Sequence, residues 1–293
     1  MYPIFKNIII LTHMIMIIRN TVNFTTFAKY SFVRQIPVLP QPKQKMICIS
    51  PGGFKGFYLM GIISYIKEHY NLNDYVFSGA SAGAWNAVLF TYKGDLKKLI
   101  HKVIGNKPYI YKNESIRDFE LLIKKRILEN SRTADYDLSS VYIGVTTFKN
   151  PFSNPTPDTL NKNGIISITN SKLCLTTSVY SNFRDLEDAL DCCIASSHIP
   201  FVTGNLLNIY KNRYVFDGGV FPNPYYNMLE SSLQITPNMW EAPVSKNKWF
   251  TIEDYTTLLS KEKYNFYELF NDGYKDTKNN YKKLDKIFIT KKP

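Results

Sequence analysis

The chain has 293 residues, a formal charge of +12 from 36 Lys and Arg against 24 Asp and Glu, and an apolar share of 44%. A chain of this length buries a full core, and that apolar share is ordinary for a soluble protein. The basic balance suits anionic lipid head groups or nucleic acid, but no nucleic-acid-binding module or compact basic–aromatic pattern accompanies it, so no nucleic-acid partner is expected.

Residues 1–45 hold six Lys and Arg and no acid, with an apolar run from Ile8 to Ile18 interrupted by Thr12 and His13. Those eleven residues are too few to span a bilayer. Three readings stay open for this extension: a signal-peptide core behind Lys6, an organelle transit segment, and an interfacial anchor, with membrane association ranked first. The remainder of the extension, up to Gln41-Pro42-Lys43-Gln44-Lys45, reads as a linker.

From Met46 the pattern alternates strand and helix, which points to an α/β fold with a mostly parallel sheet and helices on both faces. Met46 to Ser50 reads as a short buried strand. It runs into Pro51-Gly52-Gly53-Phe54-Lys55-Gly56 and then a long apolar helix from Phe57 to about His69. Consecutive glycines can turn their amides inward and make a nest for an anion. In acyl transfer that anion is the oxyanion of the tetrahedral intermediate. A Walker-type loop would need a Gly-Lys-Ser/Thr ending, which Lys55-Gly56-Phe57 lacks.

The next strand, Tyr75 to Phe77, leads into Gly79-Ala80-Ser81-Ala82-Gly83 and a helix from Ala82 to Phe90. This strand–serine turn–helix order is that of a nucleophile elbow: the serine hydroxyl is exposed on a tight turn, at a helix start that favours negative charge. Helices are expected at Asp95–Ile104 and Glu114–Glu129, the second with an apolar stripe of Ile116, Phe119, Leu122, Ile123 and Leu128 that reads as core. Strands follow at Val141–Phe148 and Leu173–Val179, with a Pro- and Asn-rich surface loop from Asn150 to Asn163 between them. Asp185–Ala195 reads as a helix. The strand Tyr214–Phe216 then ends in Asp217-Gly218-Gly219. An aspartate before glycine is commonly only a turn, but with a nucleophile and an oxyanion loop already placed it becomes the candidate base.

Three blocks, Gly52 to Gly56, Gly79 to Gly83 and Asp217 to Gly219, in that order, resemble the signatures of the patatin-like phospholipases. Ala195-Ser196-Ser197-His198-Ile199-Pro200 resembles the family's Ala-Ser-x-x-x-Pro segment. The likeness covers about residues 46–225. It implies a patatin-like three-layer α/β/α sandwich and a calcium-independent, metal- and cofactor-free acyl hydrolase. By the resemblance Ser81 is the nucleophile and Asp217 its base, supported by Gly218 and Gly219. The amides around Gly52, Gly53, Phe54, Lys55 and Gly56 form the oxyanion hole, and Gly79, Ala80, Ala82 and Gly83 shape the elbow. Two departures stand out: Pro51 lacks an amide where the family often has glycine, and Lys55 replaces an arginine and loses its planar fork.

Of four histidines, His13, His69, His101 and His198, only His198 suits a rival triad, with Asp185, Asp188 or Asp191 as its acid; the other reading of His198 is a cleft-shaping residue. The cysteines Cys48, Cys174, Cys192 and Cys193 have no metal-type spacing and read as free thiols of a reducing, intracellular compartment. Residues 226–293 are expected as a C-terminal extension packed on the catalytic domain, ending in a short strand from Lys286 to Thr290. The expected function is hydrolysis of fatty acyl esters of glycerophospholipids at a membrane surface. A neutral-lipid lipase, a lipid acyltransferase or a non-catalytic lipid-binding protein on the same fold remain as alternatives, and the oligomeric state is open.

Overall fold

The computed structural model describes residues 45–105, 115–148, 166–170, 175–219, 231–241 and 265–291. The expectations for residues 1–44 and for the Asn150–Asn163 loop lie outside them. Eight described strands form one mixed sheet: β1 (Lys45–Ile49), β2 (Tyr75–Gly79), β3 (Val141–Phe148), β4 (Ile166–Asn170), β5 (Leu175–Tyr180), β6 (Asn208–Tyr210), β7 (Arg213–Phe216) and β8 (Ser231–Ile235). The order is β4-β5-β3-β2-β1-β8, and the β6–β7 hairpin hangs on β3. At its centre β8, β1, β2 and β3 run parallel. On the β3 side β5, β4 and β7 are antiparallel additions.

Parallel strands covered on both faces read as continuous apolar runs rather than alternating ones. β1 behaves in this way: every residue from Met46 to Ile49 is buried. Ile47, Ile49 and Phe77 face the main core, while Met46, Cys48 and Val76 join Ala80 and Val179 in a second cluster on the opposite face. This is an α/β/α sandwich.

The described helices are α1 (Gly56–His69), α2 (Ala82–Phe90), α3 (Leu96–Ile104), α4 (Ile116–Asn130), α5 (Leu186–Ser196), α6 (Phe266–Asn279) and α7 (Tyr281–Leu284). Side-chain caps set four of their starts, one of them Asn265, whose Oδ1 accepts from the amides of Tyr267 and Glu268. Asp95, Ser115 and Asp185 accept from the amides of Lys98, Asp118 and Asp188 at 3.0, 3.1 and 2.8 Å. An aromatic cluster joins α1, α4 and α6 beneath the first glycine loop: Phe57 stacks on Phe266 at 4.4 Å and Phe54 meets Phe119 edge-on at 5.9 Å. In α4, Phe119 and Ile123 of the expected stripe are buried, together with Glu120.

Beyond Pro224 the described chain is more than a covering. β8 pairs with β1, and α6 packs along α1, where Tyr58 donates to Asp276 at 2.8 Å. The strand expected from Lys286 to Thr290 is reduced to one bridge between Thr290 and Tyr70. The reason is local: the amides of Ile287 and Phe288 bond back to the Leu284 carbonyl at 2.8 and 2.9 Å, which coils the segment. Among the described residues no helix is long and apolar enough to cross a membrane.

Candidate active site

The parallel strands β1 and β2 deliver two loops to one edge of the sheet, and β7 returns a third. β2 ends at Gly79, and after Ala80 the chain turns at Ser81 with φ 54° and ψ −128° before α2 begins. A non-glycine residue at positive φ stores about 1–3 kcal/mol and persists only where its surroundings hold it. Here the Ser81 amide donates to the buried Ser196 Oγ at 2.8 Å, and that hydroxyl donates to the Gly144 carbonyl of β3 at 2.6 Å. The amides of Gly83 and Ala84 close the turn on the carbonyls of Ala80 and Ser81 at 2.8 and 2.9 Å. A Cβ on Gly83 would lie 2.3 Å from the Ile49 carbonyl oxygen, so only glycine lets the elbow sit on the end of β1.

The loop after β1 begins at Ser50, whose amide donates to Ile235 of β8 at 2.9 Å. Gly53 lies at φ 53°, the left-handed region that favours glycine, and opens a single 3₁₀ turn into α1. That turn consumes two amides: Lys55 donates to the Gly52 carbonyl at 2.9 Å, and Gly56 donates to the carbonyls of Gly53 and Phe54. Of the residues Gly52 to Gly56 expected to line an oxyanion hole, Lys55 and Gly56 thus have their amides bonded within the turn. Those of Gly52 and Gly53 make no hydrogen bond among the described residues. Asn86, one turn into α2, donates to the Gly56 carbonyl at 3.1 Å and to the Ala82 carbonyl at 2.9 Å, tying this loop to the elbow helix.

Asp217 follows β7 and is buried. Its amide donates to the His198 carbonyl at 2.7 Å, and the Gly218 amide donates to the Ser196 carbonyl at 3.0 Å. Ser196 thus holds both the elbow and the aspartate loop. Gly219 brings that loop against the first one: a Cβ there would lie 2.5 Å from Pro51 Cγ. The Gly219 amide donates to Asp217 Oδ1 at 2.6 Å. Burial pushes the Asp217 carboxyl up to about 7, with the Ser81 hydroxyl and the Gly219 amide pulling the other way. The serine therefore lies beside the carboxyl, while Oδ2 is buried and closes no hydrogen bond of normal geometry among the described residues.

His198 meets Asp217 through its backbone alone. Its ring nitrogens are buried and close no hydrogen bond of normal geometry among the described residues. Burial lowers its pKa, the Leu206 backbone opposes this and Arg117 adds to it, so the ring is neutral. The acids considered for a triad are engaged elsewhere: Asp185 with Arg184 at 2.7 Å, Asp188 with Tyr210 at 2.9 Å, and Asp191 with Lys124 at 2.7 Å.

A second buried acid stands near the site. Burial drives the Glu120 carboxyl well above the ordinary carboxylate range, against the pull of Arg117, and the Asp217 charge pushes it the same way as burial. Ser197, which also interacts with Glu120, accepts from Trp85 Nε1 at 3.0 Å. The polar groups Asn86 and Glu120 carried no chemical signal in the sequence; a charged residue inside the stripe of α4 was the one visible anomaly.

A model of the patatin-like phospholipase family matches residues 47–229. No protein with a curated description matches the chain. Among solved structures, the crystal structure of VipD from Legionella pneumophila is similar at 14% identity and a TM-score of 0.39, over 85% of this chain and 68% of that one. The converging serine, glycine and aspartate loops and the span of the family match make this chain a member of the patatin-like phospholipases, a family of lipid acyl hydrolases.

Proposed function

We propose that the chain is a calcium-independent serine hydrolase that cleaves acyl esters of glycerophospholipids with Ser81 and Asp217. The observation that carries this reading is the fully buried Asp217 carboxyl beside a serine held at strained backbone angles. An aspartate of ordinary acidity is a poor base for a hydroxyl, and one raised to about 7 is far better matched to the task at neutral pH.

In this mechanism Ser81 Oγ attacks the ester carbonyl and its proton passes to Asp217. The negative charge that develops on the carbonyl oxygen is met by the amides of Gly52 and Gly53 and by the start of α2. Collapse breaks the ester C–O bond, and the leaving alkoxide takes the proton from Asp217, releasing a lysophospholipid. A water molecule then gives its proton to Asp217 and attacks the acyl-enzyme; collapse frees the fatty acid and returns the proton to Ser81.

The test is acyl release from mixed phospholipid and triacylglycerol vesicles, wild type beside Ser81→Ala, with products identified by mass and EDTA in a parallel series. Serine-dependent fatty acid and lysophospholipid, unaffected by EDTA, is the expected result. Serine-dependent cleavage of triacylglycerol alone would make the enzyme a neutral-lipid lipase. A loss in EDTA restored by calcium would overturn the metal-free mechanism.

A further inference from the structure

Five large apolar side chains exposed on the described surface fall in one short segment: Phe201, Leu206, Leu207, Ile209 and Tyr214. Phe201 is 52% and Ile209 62% exposed. Single exposed apolar residues are normal on a soluble protein, whereas a cluster of them marks an interaction site.

The segment is built to present them. β6 and β7 are joined by Lys211 and Asn212, both at positive φ (46° and 61°), as a two-residue hairpin turn requires. Ile209 pairs directly with Tyr214, so both stand on one face, while Tyr210 and Val215 point to the other and are buried. A hairpin with one buried face ordinarily carries polar residues on the outer one. This one carries an isoleucine–tyrosine pair.

Its position follows from the sheet. β7 pairs antiparallel with the end of β3, Val215 with Thr147 and Phe216 with Thr146. β3 runs parallel to β2, so the hairpin turn projects beyond the edge where β2 delivers Ser81. Tyr214 precedes Asp217 by a strand length of about 10 Å. From Ile199 to Phe216 there is no Asp or Glu, whereas Lys211 and Arg213 are present. Lys211 keeps an exposed ammonium beside Asp188 at 3.2 Å.

We propose that the hairpin and its approach, residues 199–214, form an interfacial docking element that seats the catalytic edge on an anionic phospholipid surface. Aliphatic and tyrosine side chains enter the head-group boundary, and the chain's net charge of +12 favours an anionic surface. The choice of lipid as occupant rests on continuity with the catalytic edge and on charge, and so on the phospholipid reading above.

The experiment places a polarity-sensitive fluorophore on Ile209→Cys in the full chain, with Ser81→Ala to stop turnover and Cys174→Ser; the described cysteines are buried. A blue shift is expected on vesicles of phosphatidylcholine with phosphatidylglycerol, smaller on phosphatidylcholine alone, and absent for a label on Lys125→Cys. In the active enzyme, Leu207→Glu with Ile209→Glu lowers vesicle-lipid hydrolysis roughly tenfold at limiting vesicle concentration, with recovery at saturation. No blue shift at position 209 overturns the proposal, whatever residues 1–45 contribute to binding. So does a loss that saturation does not recover, or a shift without lipid that grows with protein concentration, the sign of self-association. Failure of the phospholipase reading shows separately, as no serine-dependent product while the label readout still stands.

Discussion

Ser196 Oγ accepts from the Ser81 amide at 2.8 Å and donates to the Gly144 carbonyl at 2.6 Å, bridging 115 residues of chain to hold the backbone of Ser81. The Ser196 carbonyl accepts from Gly218 on the aspartate side. Ser196→Ala keeps the second contact and strands two buried backbone groups of the first. The expected cost is about 1–3 kcal/mol of stability, and a loose elbow lowers kcat by up to about a hundredfold with KM little changed. Kinetics on a soluble ester beside urea unfolding check both; wild-type kcat in the variant would show that the elbow holds itself.

The raised Asp217 pKa gives a pH signature in activity. As the proposed base, Asp217 must be ionised, so kcat/KM is expected to rise about tenfold per pH unit up to about 7 and then level off. Asp217→Asn removes the base and is expected to abolish turnover. A rate–pH profile with its acid limb near 4 would mean that Asp217 is not desolvated in the working enzyme.

Stability is expected to move the other way. A carboxyl whose pKa rises on folding favours the native state while protonated. That contribution is complete below the unfolded value near 4 and is lost as pH rises through about 7. Asp217→Asn, neutral throughout, should therefore gain in melting temperature over wild type from pH 4 to 7 and hold the gain above it. Parallel melting curves at pH 5 and 8 check this, and an equal difference at both would sink it. The site then trades stability for a usable base.

Much of this was legible in the sequence because it is local. A strand, a tight turn and a helix start encode the elbow in Gly79 to Gly83, and caps such as Asp95 and Asp185 announce their helices within four residues. What could not be read joins distant segments. The grip of Asn86 on Gly56 and of Ser196 on Ser81 exists only after the strands pair. The short strands β4, β6 and β8 have polar compositions, ISITN, NIY and SSLQI, and owe their state to a neighbour rather than to propensity. The coil at Ile287 and Phe288 won over their β-propensity because the preceding turn offers a carbonyl.

Two glycines, Gly53 at positive φ and the close-packed Gly83, separate catalysis from folding. Gly53→Ala forces a side chain to φ 53° and shifts the loop whose amides are proposed to meet the oxyanion. Its cost is expected to be about 1 kcal/mol of stability but roughly a hundredfold in kcat. Gly83→Ala meets the Ile49 carbonyl at 2.3 Å, a backbone clash that cannot relax by rotamer, and the expected outcome is loss of soluble protein. Expression, melting temperature and kcat of the two variants check the contrast; an active, stable Gly83→Ala would mean that β1 and the elbow are not locked together.

Glu120 and His198 are the buried titratable neighbours of the site, and burial favours the neutral form of each. Burial raises the Glu120 carboxyl well above its ordinary pKa and so favours the protonated acid, and Glu120→Gln replaces that acid by a neutral group of the same shape. Activity is expected within about threefold of wild type with the acid limb unmoved, because no charge is removed. Were Glu120 ionised, its removal would lower the Asp217 pKa and shift that limb to lower pH. His198→Ala leaves its carbonyl bond to the Asp217 amide in place and opens a cavity, at a cost of about 1–3 kcal/mol. Most activity should survive, since the ring bonds to neither Ser81 nor Asp217. Rate–pH profiles of both variants beside Asp217→Asn decide the base: activity lost in His198→Ala and kept in Asp217→Asn would make the histidine the base.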